Sequence, residues 1–598
     1  MHLVAMHLIL LVLSMLVVGC SHSPSLTATA TAESHQPEGA AGLSTQPGWH
    51  GQKFAIATAN PLASAAGLAM LKDGGAAIDA AVAAQMVLTL VEPQSSGIGG
   101  GAFLLHHDGR QTVAFDGRET APATASASLF VKADGKAMTF QEAIVGGRAV
   151  GVPGALRMLE MAHAEYGRLP WSTLFEPAIR LAENGFPVSQ RLHTLLKADP
   201  YLRKDPQAAA YFYDPDGQPV TVGSRLRNPE LAGVLRRIAS EGSRALHEGE
   251  IAQAIVDKVQ QYPANPGQLS LADLAGYQPQ RRKPLCSSYA PKRVEPPRTY
   301  LICGFPPPGS GAIAIAQILG ILNHTEAAFL PFSTPLWMHY YSEAARLAFA
   351  DRAQYVADPD FVAAPAGNWY ALIQPAYLAE RARLIGPHSM QVARPGSPSP
   401  EPMTQAAMPE QPEYGTSHLS VVDQHGNGLA MTTTIEDAFG ARQMVRGFLL
   451  NNQLSDFAFI PTDSSGLPIA NRVEPGKRPR SSMSPTLVFD QDSGELVISG
   501  GSPGGALIIH YTAKLLYAML NWGLEPQQAI DLPNFGSLNG PTLLEEKRFS
   551  WSFVEALRAR SHVVNEVVMN SGLQALEKTS GGFAGGADPR REGLVLGE

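Results

Sequence analysis

A proline-rich run that stops abruptly at a glycine and a threonine constrains this chain more than any other stretch. Between His388 and Gly415 stand Pro395, Pro398, Pro400, Pro402, Pro409 and Pro412. Proline lacks the N–H that a helix turn or a sheet ladder needs, so this density excludes helix and central strand. Directly after Gly415 the pattern inverts. Thr416-Ser417-His418-Leu419-Ser420-Val421-Val422 carries apolar and β-branched residues and reads as a strand. A long irregular segment inside a compact protein is either a linker or a functional element. This one ends on a hydroxyl residue preceded by glycine, where a chain can cut itself. A threonine hydroxyl is a weak nucleophile until a base takes its proton, and a free α-amine with a pKa of about 7.7–8.0 is such a base. Cleavage between Gly415 and Thr416 supplies that amine, and glycine tolerates the strain of an attack on its own carbonyl.

The opening residues speak to compartment. The apolar run Leu8 to Val18 is too short to span a bilayer and has the length of a signal-peptide core. It ends in Val17-Val18-Gly19-Cys20, which resembles the bacterial lipoprotein cleavage box. Residues 1–20 are read as a lipoprotein-type signal peptide, Cys20 as the lipidated residue, and the protein as one of the bacterial periplasm or cell envelope, held to the membrane only by that lipid. No Lys or Arg precedes the run, which keeps a plain signal peptide or an inner-membrane tether as the other reading. Residues 21–50, rich in Ser, Thr, Ala, Pro and Gly, are expected to be a flexible tether. With 16% charged residues and a net charge of −8, nucleic acid is not an expected partner. Besides Cys20 there are Cys286 and Cys303, flanking a short predicted hairpin. In an oxidising compartment they pair as a disulfide; two buried thiols is the alternative. Their spacing is not that of a metal site, no HExxH occurs, and neither metal nor organic cofactor is expected.

Along the chain, Lys53 to Ala59 reads as a strand. Asn60-Pro61 then caps a helix that Gly74-Gly75 ends, and a second helix runs from about Ala76 to Val91. Gly97-Ile98-Gly99-Gly100-Gly101 fails as a dinucleotide loop, because a helix precedes it and a strand, Ala102 to His106, follows. That strand pairs through Asp108-Gly109 with one reaching Phe115. Pro306 to Gly311 is a turn into an apolar helix. Beyond the boundary, Ser417–Val422 and Gly428–Ile435 form a hairpin, Phe448 to Gln453 is a strand, Thr486–Phe489 pairs with Glu495–Gly500, and a helix spans about Ala506 to Leu520.

Thr416-Ser417-His418-Leu419-Ser420-Val421-Val422-Asp423 resembles the start of the small subunit of gamma-glutamyltranspeptidases, which are N-terminal nucleophile hydrolases. The resemblance covers most of the chain after the tether. It includes Ser96 to Gly101, Asp116-Gly117-Arg118-Glu119, the Pro306–Gly311 turn, Ala350-Asp351-Arg352, Leu450-Asn451-Asn452-Gln453, Pro479-Arg480-Ser481-Ser482-Met483 and Gly501-Ser502-Pro503-Gly504-Gly505. It implies an α/β fold, a four-layer αββα sandwich of two stacked antiparallel sheets flanked by helices. It also implies a precursor cut into a large subunit, residues 51–415 with a disordered tail from about 388, and a small catalytic subunit, residues 416–598, which stay together as a heterodimer. Carried over residue by residue, Thr416 is the nucleophile, Thr434 orients its hydroxyl, and the amides of Gly504 and Gly505 form the oxyanion hole. Arg118, Ser481 and Ser482 hold the glutamyl α-carboxylate; Gln453 and Asp456 hold its α-ammonium. The implied reaction takes the glutamyl group of glutathione or another γ-glutamyl compound to water, an amino acid or a peptide, without a cofactor. Two departures bear on substrate. Glu436 stands where well-studied members carry asparagine, which strengthens ammonium binding or marks a different acyl donor, such as a glutaryl group. The stretch Phe457 to Arg480 is short for an active-site lid and contains no Tyr or Trp.

Other readings exist. Taken singly, Ser481 and Ser482 are a capped turn and Arg118 a solvated hairpin end. Gly500-Gly501-Ser502-Pro503-Gly504 matches a serine nucleophile elbow between strand and helix, with Asp531 and His562 following in order. Against it, Pro503 removes the amide that such an elbow uses for its oxyanion. A non-catalytic surface lipoprotein is the remaining alternative.

Overall fold

The strand after Gly415 lies inside a seven-stranded sheet, between pieces of chain from both sides of the proposed cut. The computed structural model describes residues 39, 42–332, 334–400 and 403–598. The proposed signal segment, Cys20 and most of the tether fall outside the described residues. The first sheet runs Leu594–Gly597, Ala55–Thr58, Ser417–Val422, Gly428–Thr434, Gly101–His107, Thr112–Gly117 and Gln280–Arg282, every neighbour antiparallel. The second runs Trp49–Gly51, Gly582–Ala587, Gln574–Thr579, Leu496–Gly501, Thr486–Asp490, Tyr300–Gly304 and Leu285–Tyr289, again antiparallel.

Alternation along each strand sorts the residues into layers. Leu419, Val421, Ile56 and Leu104 pack outward against the helices Pro61–Lys72 and Ala77–Val91. Phe103, Leu105 and Ala430 pack inward, against Phe305, Leu487 and Phe489 of the other half, with the Phe103 and Phe305 rings stacked at 3.8 Å. On the far face of the second sheet, Ile302, Val488 and Ile498 meet the helices Gly311–Asn323, Pro335–Tyr355 and Ile508–Trp522. The result is the four-layer αββα sandwich of stacked antiparallel sheets. Each residue of Ala77–Val91 is buried, which suits an alanine-rich helix without a polar face. Its first turn is closed by Asp79, accepting from the Ala76 N–H at 2.7 Å, and by Asp423, accepting from the Ala77 N–H at 2.7 Å. The hairpin turn after the Ser417–Val422 strand thus caps a helix that lies before Gly415 in the sequence, a contact worth about 1 kcal/mol.

Between the sheets His418 is a structural side chain. Its ring nitrogens meet Thr432 Oγ1 at 2.9 Å and Ser420 Oγ at 3.1 Å. Burial pushes its pKa down to about 3, so it stays neutral. A Cβ on Gly501 would come within 2.5 Å of that ring, which is why the facing strand carries glycine.

Several expectations need correction. Trp49 and His50, placed in the tether, form a strand against Gly585 and Ala584. Phe448 to Gln453 is a strand only over Phe448–Leu449; Gln453–Asp456 is a 3-10 turn, because Asn451 turns its side chain onto the Gly151 and Gln453 amides. The segment from 388 to 415 is irregular but not a disordered tail. Over its described residues, the Met390 N–H donates to Glu343, the Gly396 N–H to Asp351, and the Met408 N–H to the Ala353 carbonyl. The prolines deny it helix and strand, yet its backbone groups find partners elsewhere. Cys286 and Cys303 face each other in register on neighbouring strands, with Cα atoms 4.0 Å apart, and are joined as a disulfide.

Candidate active site

Antiparallel register sets the site. Ser417 pairs with Thr433, so the Gly415–Thr416 bond lies beside Thr434 at the end of the hairpin. The Thr434 hydroxyl donates to the Gly415 carbonyl at 2.7 Å and accepts from the Glu436 N–H at 2.8 Å. It therefore sits on the Gly415 carbonyl, where the resemblance assigned it to the Thr416 hydroxyl. Thr416 Oγ1 accepts from the Gly504 N–H at 3.2 Å, and Arg591 donates to the Thr416 carbonyl at 3.4 Å. Gly415 has φ +57°, and a Cβ there would stand 1.5 Å from the Glu436 carbonyl oxygen. Only glycine fits this position. Gly504 and Gly505 are also left-handed, at φ +132° and +58°, and lead into the helix Ile508–Trp522, whose positive end faces the threonine.

On one side lies an acidic cluster. The Gln453 side-chain amide donates to Asp456 at 2.8 Å, and Arg118 pairs with the same carboxylate oxygen. The other Asp456 oxygen, Gln453 Oε1 and both Glu436 oxygens are buried and accept no hydrogen bond. Burial, reinforced by Asp456 and Asp437, pushes the Glu436 pKa well above the ordinary carboxylate range, and burial raises that of Asp456 despite Arg118 beside it. Acceptors left bare in this way are costly unless a donor arrives.

On the other side lies a basic cluster that the sequence reading did not assign. Glu413, two residues before Gly415, accepts from Arg352 at 2.8 and 2.9 Å, from Arg480 at 3.4 Å and from the Ser482 hydroxyl at 2.5 Å. Burial alone would raise its pKa, but the two guanidiniums and the hydroxyl outweigh that and hold it down to about 2. Arg118, the expected carboxylate clamp, lines the cavity beside Thr416 and is held by groups of the protein. Its Nε donates to the Pro479 carbonyl at 3.1 Å and one terminal nitrogen to the Arg480 carbonyl at 2.9 Å, besides the pair with Asp456. Ser481 Oγ accepts from the Met483 N–H at 3.2 Å, a local turn contact. Thr416, Thr434, Arg118, Gln453, Asp456, Ser481, Ser482, Gly505, Glu413 and Tyr414 all line one cavity of about 20 Å³. The signal for the basic cluster was Arg480 inside Pro479-Arg480-Ser481-Ser482, but Arg352 lies too far away in sequence for the pair to be read.

The serine-elbow alternative does not assemble. Ser502 Oγ donates to the Pro503 carbonyl at 2.7 Å and accepts from the Gly572 N–H at 3.2 Å. His562 is engaged elsewhere, with Thr542 Oγ1 at 2.7 Å and His339 Nδ1 at 2.8 Å, and Asp531 is held by Gln527. His339, Glu343 and His562 do lie close enough together to suggest a metal site. One set of tautomers nevertheless satisfies every ring nitrogen, running from Arg346 through Thr542, His562 and His339 to the Gly386 carbonyl. Glu343 is taken by Arg346 and the Met390 N–H. No histidine lone pair in this group is left over for a cation.

The family model described as "Gamma-glutamyltranspeptidase" matches residues 63–597. Among curated proteins, the "Glutathione hydrolase proenzyme" of Bacillus subtilis (strain 168) is 35% identical over 564 residues, covering 92% of this chain and 92% of its own. The "Acylase ACY 1 proenzyme" of Pseudomonas sp. (strain V22) is 36% identical over 552 residues, covering 90% of this chain and 92% of its own. Among solved structures, the cephalosporin acylase from Bacillus halodurans superposes with a TM-score of 0.79 at 28% identity, over 92% of this chain and 97% of its own.

The depressed Glu413 pKa has a testable sign. In a Thr416→Ala background, Glu413→Gln should destabilise by roughly 3 kcal/mol at neutral pH, as for one partner of a buried pair. A lowered folded-state pKa gives stability that is present above the ordinary value of 4.5 and lost as pH falls toward about 2. Thermal melts of the two proteins should therefore converge across that acidic window. A gap that persists unchanged at pH 2–3 contradicts the ion-pair account.

Proposed function

The chain belongs to the gamma-glutamyltranspeptidase family, and from that premise we propose that it cuts itself before Thr416 and then cleaves γ-glutamyl amides through a glutamyl ester on that residue. In the first step the Thr416 hydroxyl adds to the Gly415 carbonyl, which Thr434 polarises at 2.7 Å. The peptide bond becomes an ester and water hydrolyses it, leaving a Gly415 carboxylate and a free Thr416 amine. That amine, with an ordinary pKa of about 7.7–8.0, is partly neutral at working pH and takes the hydroxyl proton in each later turnover. The hydroxyl attacks the γ-amide carbon, and the Gly504 and Gly505 amides stabilise the oxyanion, a contribution of roughly 3 kcal/mol per donor. The amine departs with the proton, and water, an amino acid or a peptide releases the glutamyl group. Glutathione is the reference donor.

One observation carries the glutamyl reading. Glu436, Asp456 and Gln453 present bare, buried acceptors, and an α-ammonium satisfies them while supplying the charge that keeps the carboxylates ionised. A second reading, a glutaryl-type acylase, is favoured by the acylase relative at equal identity; a neutral Glu436 would serve it. We also propose export and anchoring through Cys20.

Purified wild type should run as two fragments on a denaturing gel, and Thr416→Ala as one band. The cleaved enzyme should hydrolyse γ-glutamyl-anilide at least about tenfold faster than glutaryl-anilide, a ratio that Glu436→Asn changes. A preference for the glutaryl compound selects the acylase reading. An uncut, active chain silenced by Ser502→Ala removes both. Labelling with radioactive palmitate should disappear in Cys20→Ala, and its persistence would rule out the anchor.

A further inference from the structure

We infer that the buried triad Asp199, Arg442 and Asp437 sets whether Glu436 is ionised, and so decides between acyl donors that carry an α-ammonium and those that do not. This rests on the reading that Glu436 faces the donor, and adds three residues that do not line the cavity beside Thr416.

Glu436 stands in an irregular loop between the strands Gly428–Thr434 and Met444–Val445. Glu436, Phe439 and Arg442 of this loop are left-handed, at φ +75°, +61° and +55°. Such a backbone persists only where its surroundings hold it. Arg442 is central to that hold. Its N–H donates to the Phe439 carbonyl at 3.0 Å and its Nη1 to the Gly440 carbonyl at 2.8 Å. The same Nη1 pairs with Asp437 at 2.5 Å, and Nε donates to Asp199 at 3.0 Å. Asp199 is fixed in turn just past the helix Gln190–Ala198, where its other oxygen accepts from the Tyr201 and Leu202 N–H groups at 2.8 and 2.7 Å. The Asp437 N–H donates to Asn452 Oδ1 at 3.0 Å. All three members of the triad are buried, as is Glu436, so their charges act on one another with little screening.

One guanidinium between two carboxylates leaves the triad with an excess of negative charge behind Glu436. The other groups that bear on Glu436 are Asp456, which is paired with Arg118, and the Tyr414 phenol, whose pKa burial, Asp437 and Glu436 together raise. Once the bond before Thr416 is cut as proposed, the Thr416 amine joins them. Asp456 and Asp437 push the Glu436 pKa up beyond what burial does, and Arg442 pulls it down. Changing the triad therefore has a sign. Without Arg442, two uncompensated carboxylates stand behind Glu436 and hold it protonated, a neutral group that offers an ammonium no counter-charge. Without the Asp437 charge, Arg442 is opposed by Asp199 alone and Glu436 ionises more readily. A loosened loop would move both variants the same way, whereas electrostatic control moves them apart. An ionised Glu436 suits γ-glutamyl donors, and a neutral one suits glutaryl donors.

The test sets L-glutamate against glutarate, which lacks only the α-ammonium, as competitors of γ-glutamyl-anilide hydrolysis between about pH 5 and 8.5. The ratio of their inhibition constants isolates the ammonium and cancels the titration of the Thr416 amine. In wild type glutamate should be preferred, increasingly so as rising pH ionises Glu436. Arg442→Met should cut that preference about tenfold at neutral pH and move its midpoint up by about one pH unit. Asp437→Asn should move the midpoint down by a similar amount, and Arg442→Lys, which keeps the charge, should stay near wild type. Midpoints that shift the same way in Arg442→Met and Asp437→Asn, or a preference that neither changes, overturn the inference while the glutamyl reading stands. A wild type that prefers glutarate, or neither compound, at every pH removes the glutamyl reading instead. The inference then stands if Asp437→Asn gains a preference for glutamate and falls if it does not. Where γ-glutamyl-anilide is not turned over, calorimetry with the same two ligands supplies the ratio. Should Arg442→Met be insoluble, Asp437→Asn and Asp199→Asn decide: a downward midpoint in both supports the inference, and no shift or an upward one overturns it.

Discussion

The register of one strand governs everything near the Gly415–Thr416 bond. Ser417–Val422 is locked between Ala55–Thr58 and Gly428–Thr434, and each neighbour is itself paired on its other side. A slip of one residue would turn Leu419 and Val421 away from the helices and drive His418 out of the gap between the sheets. Because that slip is so costly, Thr434 lies beside the Gly415–Thr416 bond. Residues before and after Gly415 contribute strands to both sheets, so the proposed cut of one peptide bond would leave the ladders in place.

Around this fixed point the charges are sorted. Bare acceptors of Glu436, Asp456 and Gln453 lie on one side, and the donors of Arg352, Arg480 and Ser482 on the other. That polarity suits the dipolar end of an amino acid, with the reacting amide directed at Thr416. In the uncut chain each half is quenched internally, the acidic side in part by Arg118 and the basic side by Glu413.

Much of this was legible from local chemistry. The strand after Gly415, the Asn60 cap, the hairpin through Asp423 and the glycine at the cut follow from turn and propensity rules, and the structure carries each of them. What escaped is long-range. Composition rightly denied helix and strand to residues 388–415, but it could not show that Met390, Gly396 and Met408 find partners across the fold, nor that Glu413 is buried among arginines. The Ser502 motif failed for the same reason in reverse. Its local context matched, while its supposed histidine is tied to Thr542 and His339.

The central claim is that Thr416 carries the acyl group. Acid-quenching the enzyme during turnover of γ-glutamyl-anilide and mapping the adduct by peptide mass spectrometry tests it most directly. One glutamyl group should be found on the peptide that begins with a free Thr416, and none when Thr416 is Ala. An adduct on a peptide containing Ser502, or turnover by a chain in which the Gly415–Thr416 bond is intact, would contradict the account.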